Sequence, residues 1–202
     1  MMVLAVDRRV GDKMSTLQAK MFNNKAANPK NRPRKTLEAL DLKPGQRVAD
    51  IGSGGGYFTL RFAEAVGEKG KVYAVDGNSE FLGFIERSAE EKGIHNVVLV
   101  PIAEHKLNLP EDSIDLVFMR NVTHHIKDRT EYFKDLRRHL RSDGRIAVIE
   151  YKRGKPVSFR RLFGHHVPEE TIAKEMSEAG FSLEKRFDFL PEQHFSIYKM
   201  RS

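Results

Sequence analysis

Two carboxylates and a cluster of glycines occupy one short stretch of the chain. Residues 48–56 read Val-Ala-Asp-Ile-Gly-Ser-Gly-Gly-Gly, and residues 72–76 read Val-Tyr-Ala-Val-Asp. Glycines at such a turn let the backbone approach a bound group closely and adopt positive φ at little cost. Amides at the start of a following helix would face that group. A pyrophosphate-binding turn needs G-x-G-x-x-G or A. Counting from Gly52, the third small residue would fall on Tyr57, which is too large, so the spacing is instead Gly52, Gly54, Gly56. Asp50, two residues before the first glycine, would repel a diphosphate and suits a cationic ligand with an amino group. Asp76 is placed to accept hydrogen bonds from two ribose hydroxyls. A zwitterionic amino acid carrying a sulfonium and joined to a ribose fits these groups better than NAD does.

The elements around these groups alternate in period. An apolar run at 47–51 reads as a buried strand. From Tyr57, the residues Phe58, Phe62, Ala63 and Val66 recur at helical spacing. Strands are expected near 47–51, 71–76, 96–101, 113–119, 144–151, 181–189 and 194–200, and helices near 56–66, 79–92, 128–140 and 168–179. Such alternation implies a largely parallel sheet with helices on both faces. The last two strands are joined only by Leu190-Pro191-Glu192-Gln193 and must pair antiparallel. Upstream, residues 1–13 read as irregular, Met14–Phe22 as a short helix and Asn23–Arg34 as a loop. Pro33 suits the first turn of a helix ending at Leu40.

On these residues the sequence resembles the class I S-adenosylmethionine-dependent methyltransferases over roughly 36–200. Asp50–Gly56 resembles the family's glycine-rich motif and Asp76 its ribose-binding acid. Leu109–Val117 resembles the lead-in to its fourth strand, and Leu140–Ile146 the turn before its fifth. The resemblance implies a Rossmann-like methyltransferase fold, an α/β architecture with a seven-stranded, mostly parallel sheet and an antiparallel terminal hairpin. It also implies S-adenosyl-L-methionine as cofactor and S-adenosyl-L-homocysteine as product. The donor-binding residues it points to are Asp50, Gly52, Ser53, Gly54, Gly56, Tyr57, Asp76, Gly77, Arg120 and Asn121. One departure concerns adenine: the position where many relatives have Asp is Ala103, and either Glu104 or the backbone supplies that contact.

Methyl transfer from a sulfonium is an in-line displacement, so the protein chiefly aligns donor and acceptor. A base is needed only when the acceptor must lose a proton. The fourth strand ends in Met119-Arg120-Asn121-Val122-Thr123-His124-His125. The resemblance places this end at the methyl group, and the Asn/Asp-Pro-Pro-Tyr of many amino-group enzymes is missing from it. His124 and His125 are the acid/base candidates: one facing the pocket and one packing, or both merely packing or capping. Glu150 either binds a cationic substrate group or pairs with Arg120. Tyr151, Phe22 and Asn28 are candidates for the acceptor side, with Met21 beside them. His165-His166 and His194 read as loop and structural residues, and no metal is expected. Phe81, Phe84 and Ile85 read as core.

Composition narrows the class. With 202 residues the chain supports one domain and a small extension. It contains no cysteine, which excludes disulfides, Cys-ligated zinc and thiol nucleophiles. No apolar run reaches the ~20 residues of a membrane span. The opening Met1–Val6 is followed rather than preceded by charges, a poor signal peptide, so cytoplasmic is the default location.

The net charge of +7 is uneven. Residues 1–35 hold nine bases and two acids, leaving 26 of each in the remainder. A second basic stretch, Lys152–Arg161, holds five bases and no acid. Such runs are either solvated surface or a funnel for an anionic substrate. The expected organisation is a basic arm over 1–35, capping the acceptor, and a donor-binding domain over 36–202. The expected function is methyl transfer to oxygen, sulfur, carbon or an amine of a small molecule. The alternatives are a tRNA or rRNA methyltransferase using the basic arm, and a binding protein without catalysis. A homodimer is left open.

Overall fold

The computed structural model describes residues 3–102, 107–152 and 166–201, with side chains from residue 14 onward. Its elements are α1 (Val3–Ala27), α2 (Pro33–Leu40), β1 (Arg47–Ile51), α3 (Tyr57–Val66), β2 (Lys71–Asp76), α4 (Ser79–Glu90) and β3 (Val97–Pro101). Then come β4 (Ile114–Arg120), α5 (Arg129–His139), β5 (Leu140–Tyr151), α6 (Glu169–Glu178), β6 (Phe181–Phe187) and β7 (Gln193–Met200). The seven strands run in the order β3-β2-β1-β4-β5-β7-β6. This is the mixed α/β sheet the alternating periods imply.

The chain divides into two compact units, one of residues 1–45 and 53–108, the other of residues 46–52 and 109–202. In the first, β2 and β3 pair in parallel with Asp76 opposite Pro101. Helix α4 lays Leu82 and Ile85 on Ala74, with Val97 and Leu99 against the same cluster. Its start is chemically specified: Asn78 accepts hydrogen bonds from the amides of Glu80 (2.9 Å) and Phe81 (3.4 Å), which satisfies donors the helix cannot.

In the second unit β1, β4 and β5 are parallel, with Asp50 opposite Phe118 and Arg120 opposite Ile149. Strand β7 pairs antiparallel with both β5 and β6, as the short link between the last two strands requires. Ile146 to Ile149 are all buried, giving the continuous apolar run of a strand covered on both faces. Helices α5 and α6 are joined by Arg129, which donates Nε–H and Nη2–H to the two carboxylate oxygens of Glu175 at 2.7 Å each.

Two expectations need correction. Helix α1 covers Val3–Ala27 and is not confined to Met14–Phe22, so residues 3–13 are helical rather than irregular and the expected loop from Asn23 to Arg34 is helical through Ala27 and again from Pro33. No proline interrupts 3–27, Gly11 is the sole glycine there, and the first breaker is Pro29. Asn28 then caps a single 3-10 turn over Pro29–Asn31. Strand β5 begins at Leu140, directly after α5, and its register shifts between Ile114 and Leu116. The predicted turn is thus an irregularity inside the ladder.

Candidate functional site

The glycine turn of the first unit is anchored on β2. Ser53 N donates to Val75 O (3.2 Å), and Gly56 N donates back to Ser53 O (2.9 Å). Gly54 and Gly56 lie at φ +53° and +78°, a region that side chains with a Cβ avoid. A Cβ on Gly56 would also come within 2.6 Å of Ile85 Cγ1. Asp76 is oriented by backbone: Gly54 N donates to its Oδ2 at 2.8 Å and Asn78 N to its Oδ1 at 2.9 Å. Each oxygen keeps a second lone pair, so the carboxylate is held in place and can still accept two hydroxyls. Ser53 Oγ is buried with no hydrogen-bond partner, an orphaned polar atom in the turn. Positive-φ glycines, an orphan hydroxyl and an oriented acid fit the polar groups of an adenosyl-sulfonium ligand. A Cβ on Gly77 would meet nothing.

The turn differs from the expectation in one respect. The amide of Tyr57, at the start of α3, is not left open for a ligand. It donates to Asn23 Oδ1 on α1 at 3.1 Å, and Asn23 Nδ2 donates to Gly55 O at 2.7 Å. Phe22 lies beside the turn, 3.5 Å from where a Cβ of Gly54 would sit, and edge-on to Phe81 with ring centroids 5.6 Å apart. The Tyr57 ring is half-buried, with the Arg61 guanidinium 5.7 Å from its centroid. Asn28 has a local duty, since it is exposed and its Oδ1 accepts from Lys30 N at 3.0 Å.

In the second unit Asp50 is buried near the end of β1. Gly52 follows at φ +73°, where a Cβ would approach Val122 Cγ2 to 2.8 Å. Beyond β4 the chain turns at Asn121, whose φ of +54° is in the left-handed region that asparagine tolerates. Asn121 N donates to Ile149 O (2.8 Å), and Asn121 Oδ1 accepts from Gln193 Nε2 (2.6 Å).

That turn delivers Thr123 and His124 to Glu150. Thr123 Oγ1 donates to Glu150 Oε2 at 2.6 Å, and His124 Nδ1 lies 3.0 Å from the same oxygen. Tyr151 N donates to Oε1 at 2.8 Å. The Glu150 side chain is fully buried and that of His124 nearly so. Burial pushes the Glu150 carboxyl up, but the bonds from His124, Thr123 and Tyr151 and the His124 charge together hold it below the ordinary value. Glu150 therefore carries a buried negative charge taken up by the Thr123-His124 pair, where pairing with Arg120 was one expectation. A carboxylate accepts only, so His124 Nδ1 must carry the proton. Whenever the ring is neutral, its lone pair is therefore on Nε2.

His125 is exposed and its ring lies 4.2 Å from that of His124. The two histidines thus separate into one inward and one outward. Tyr151 is buried, and Arg120 is half-buried. His194 is structural, with Nε2 donating to Val167 O at 3.0 Å. Ala103, Glu104, His165 and most of the basic stretch after Lys152 lie outside the described residues. Among the described residues no group of three metal-ligating side chains occurs.

Sequence reasoning missed Asn23, Thr123 and Gln193. For Asn23 the sequence offered only an extra glycine, Gly55, whose reason is visible in the structure: its φ is not positive, and a Cβ there would meet Ala19 O and Asn23 Oδ1.

Comparison with known proteins follows the same lines. Residues 42–187 match the family described as a methyltransferase domain. A ubiquinone/menaquinone biosynthesis C-methyltransferase of Vibrio vulnificus is 33% identical over 123 residues, 60% of this chain and 46% of that one. An uncharacterized methyltransferase of Bacillus subtilis is 27% identical over 139 residues, 69% of this chain and 48% of that one. This chain therefore spans about half the length of the curated relatives it matches. A S-adenosylmethionine-dependent methyltransferase from Aquifex aeolicus superposes with a TM-score of 0.82, covering 91% of this chain and 97% of that one at 23% identity.

Proposed function

The chain belongs to the methyltransferase domain family, and on that premise we propose that it methylates a hydroxylated aromatic small molecule, at ring carbon, using S-adenosylmethionine. The methyltransferase family is what the match over residues 42–187 shows, and S-adenosylmethionine is the donor that family implies. The acceptor is the proposal. Two things support it: the relative named for C-methylation in quinone biosynthesis, and the His124 Nδ1–Glu150 Oε2 bond of 3.0 Å, which is the observation that carries the reading.

A ring carbon beside a hydroxyl becomes nucleophilic when the hydroxyl loses its proton. His124 Nε2 takes that proton, and the resulting imidazolium is stabilised by the buried Glu150 carboxylate. Thr123 and the Tyr151 amide hold that carboxylate in place. The ring proton displaced when the new carbon–carbon bond forms leaves to solvent, restoring the aromatic ring. When bound, the donor supplies a methyl group already activated on sulfur. Asp76 holds its ribose hydroxyls, and Ser53 and the positive-φ glycines admit its amino-acid end. Gly52, Gly77, Asp50, Arg120 and Asn121 complete the proposed donor set, with Phe22 and Tyr151 on the acceptor side.

A product-resolved screen tests this. Labelled methyl donor is supplied with hydroquinones, simple phenols, amines, thiols and total RNA. Carbon-methylated phenolic product is expected, and label confined to amines or thiols would overturn the reading. A second reading rests on the arm, which carries the whole charge excess: it would bind RNA. Methylation that falls steeply with salt would support RNA, because neutralised phosphates release counterions. A shallow slope is expected.

Donor binding makes its own prediction. Asp76→Ala should weaken S-adenosylhomocysteine binding by about 1–3 kcal/mol, the range for hydrogen bonds to a charged group. Calorimetry showing wild-type affinity would remove Asp76 from the donor site.

A further inference from the structure

We propose that Asn23 is a positioning residue for the donor-binding turn, so that docking of α1 and binding of the donor form one linked equilibrium. This rests on the reading that the glycine turn holds the donor, and it adds a residue and a coupling to that reading.

Helix α3 begins without a side-chain cap of its own. Its N-cap is Gly56, which makes no capping hydrogen bond, so the first amide of the helix needs an acceptor from elsewhere. Asn23 supplies it from a residue 34 positions away. Its amide group spans the turn, with Oδ1 taking the Tyr57 N–H and Nδ2 giving a proton to Gly55 O. Both donor and acceptor of one rigid side-chain plane are used on a single turn.

Gly55 shows that this approach is built into the sequence. Gly52, Gly54 and Gly56 have positive φ and Gly55 does not. A Cβ at Gly55 would overlap Ala19 O and Asn23 Oδ1 on α1. Glycine is required there so that the helix can lie against the backbone. Ala19 is fully buried, and Ala26 nearly so, on the same side of α1. The other side of the turn is held by Asp76, through Gly54 N. The peptide segment from Gly54 to Tyr57 is therefore clamped between the ribose-binding acid and the arm. Whatever tightens one clamp orders the other, and the coupling must be equal in both directions.

The full-length chain is titrated with S-adenosylhomocysteine in a calorimeter, and α1 amide exchange is followed with and without it. Wild-type protein should bind, and its α1 amides should exchange more slowly when bound. Failure of wild type to bind would strike the donor-turn reading itself. Asn23→Ala should weaken binding roughly tenfold, as loss of two hydrogen bonds implies, and should abolish the ligand-dependent protection of α1. Asn23→Asp keeps the acceptor for Tyr57 N and loses the donor to Gly55 O, so it should fall between. Asn31→Ala is the control: it removes a hydrogen bond to Lys25 O in the arm (2.6 Å) that does not reach the turn, and should bind as wild type does. Wild-type affinity in Asn23→Ala would overturn the proposal. If that variant failed to fold, wild-type exchange alone would decide, because α1 amides indifferent to ligand would refute the linkage.

Discussion

His124→Ala should lower turnover of a phenolic acceptor by about 10²–10⁴-fold, the usual contribution of a positioned general base. Affinity for S-adenosylhomocysteine should not change, since Asp76 is oriented by the Gly54 and Asn78 amides rather than by His124. A structural explanation and a catalytic one separate on the choice of acceptor. An acceptor whose hydroxyl is already ionised at the assay pH has no proton to give up. It should lose far less rate in the variant than an ordinary phenol does. Equal losses for both acceptors would mean that His124 merely shapes the site, and an unchanged rate would remove it from the mechanism. His125, exposed beside it, serves as the comparison, and His125→Ala should have the smaller effect.

Glu150→Ala should be the most damaging single change to stability, costing about 3–5 kcal/mol, as removal of one partner from a buried pair does. The Thr123 hydroxyl, the His124 Nδ1–H and the Tyr151 N–H would all lose their acceptor. For a chain of this size each kcal/mol shifts the melting temperature by roughly 2–4 °C, so a fall on the order of 10 °C is expected by calorimetry. A fall of a degree or two would contradict the buried-anion assignment.

Glu150→Gln isolates the charge. In the wild type the carboxyl sits below its ordinary value of 4.5. A carboxyl lowered by folding adds stability that is complete above the unfolded value and disappears as pH falls through the folded one. Acid melting curves of the wild type should therefore steepen below about pH 4.5, and Glu150→Gln should lack that contribution. Parallel acid limbs in the two proteins would show that Glu150 is not held ionised.

Much of this was legible in the residues, for reasons that can be named. The strand–turn–helix at 47–66 was visible because an apolar run, glycines of restricted spacing and a helical period follow one another directly. Asp76 could be placed because the next strand ends on it. Long-range partners were not legible. Asn23 caps a helix 34 residues downstream, and no local pattern relates the two. Glu150 could be assigned to the end of β5, but its partners depend on register. Arg120 pairs with Ile149, which leaves Glu150 one residue past the ladder, level with the turn that carries Thr123 and His124. The extent of α1 was missed although Val3, Val6 and Val10 carry the three- and four-residue spacing that Met14, Leu17 and Met21 continue, because the intervening charges and Gly11 read as an irregular lead-in.

The cap that α1 provides to α3 bears on how such enzymes diversify. Exchanging amino-terminal segments between paralogues is an obvious route to new acceptor preference, in nature or by recombination in the laboratory. Here the exchanged piece would also carry the residue that finishes another helix. A chimera that kept Gly55 but received a bulky residue in place of Asn23 would begin with an impaired grip on the methyl donor, whatever its new acceptor. Acceptor choice and donor affinity would then be inherited together, and compensation would have to arise at Gly55 or Tyr57.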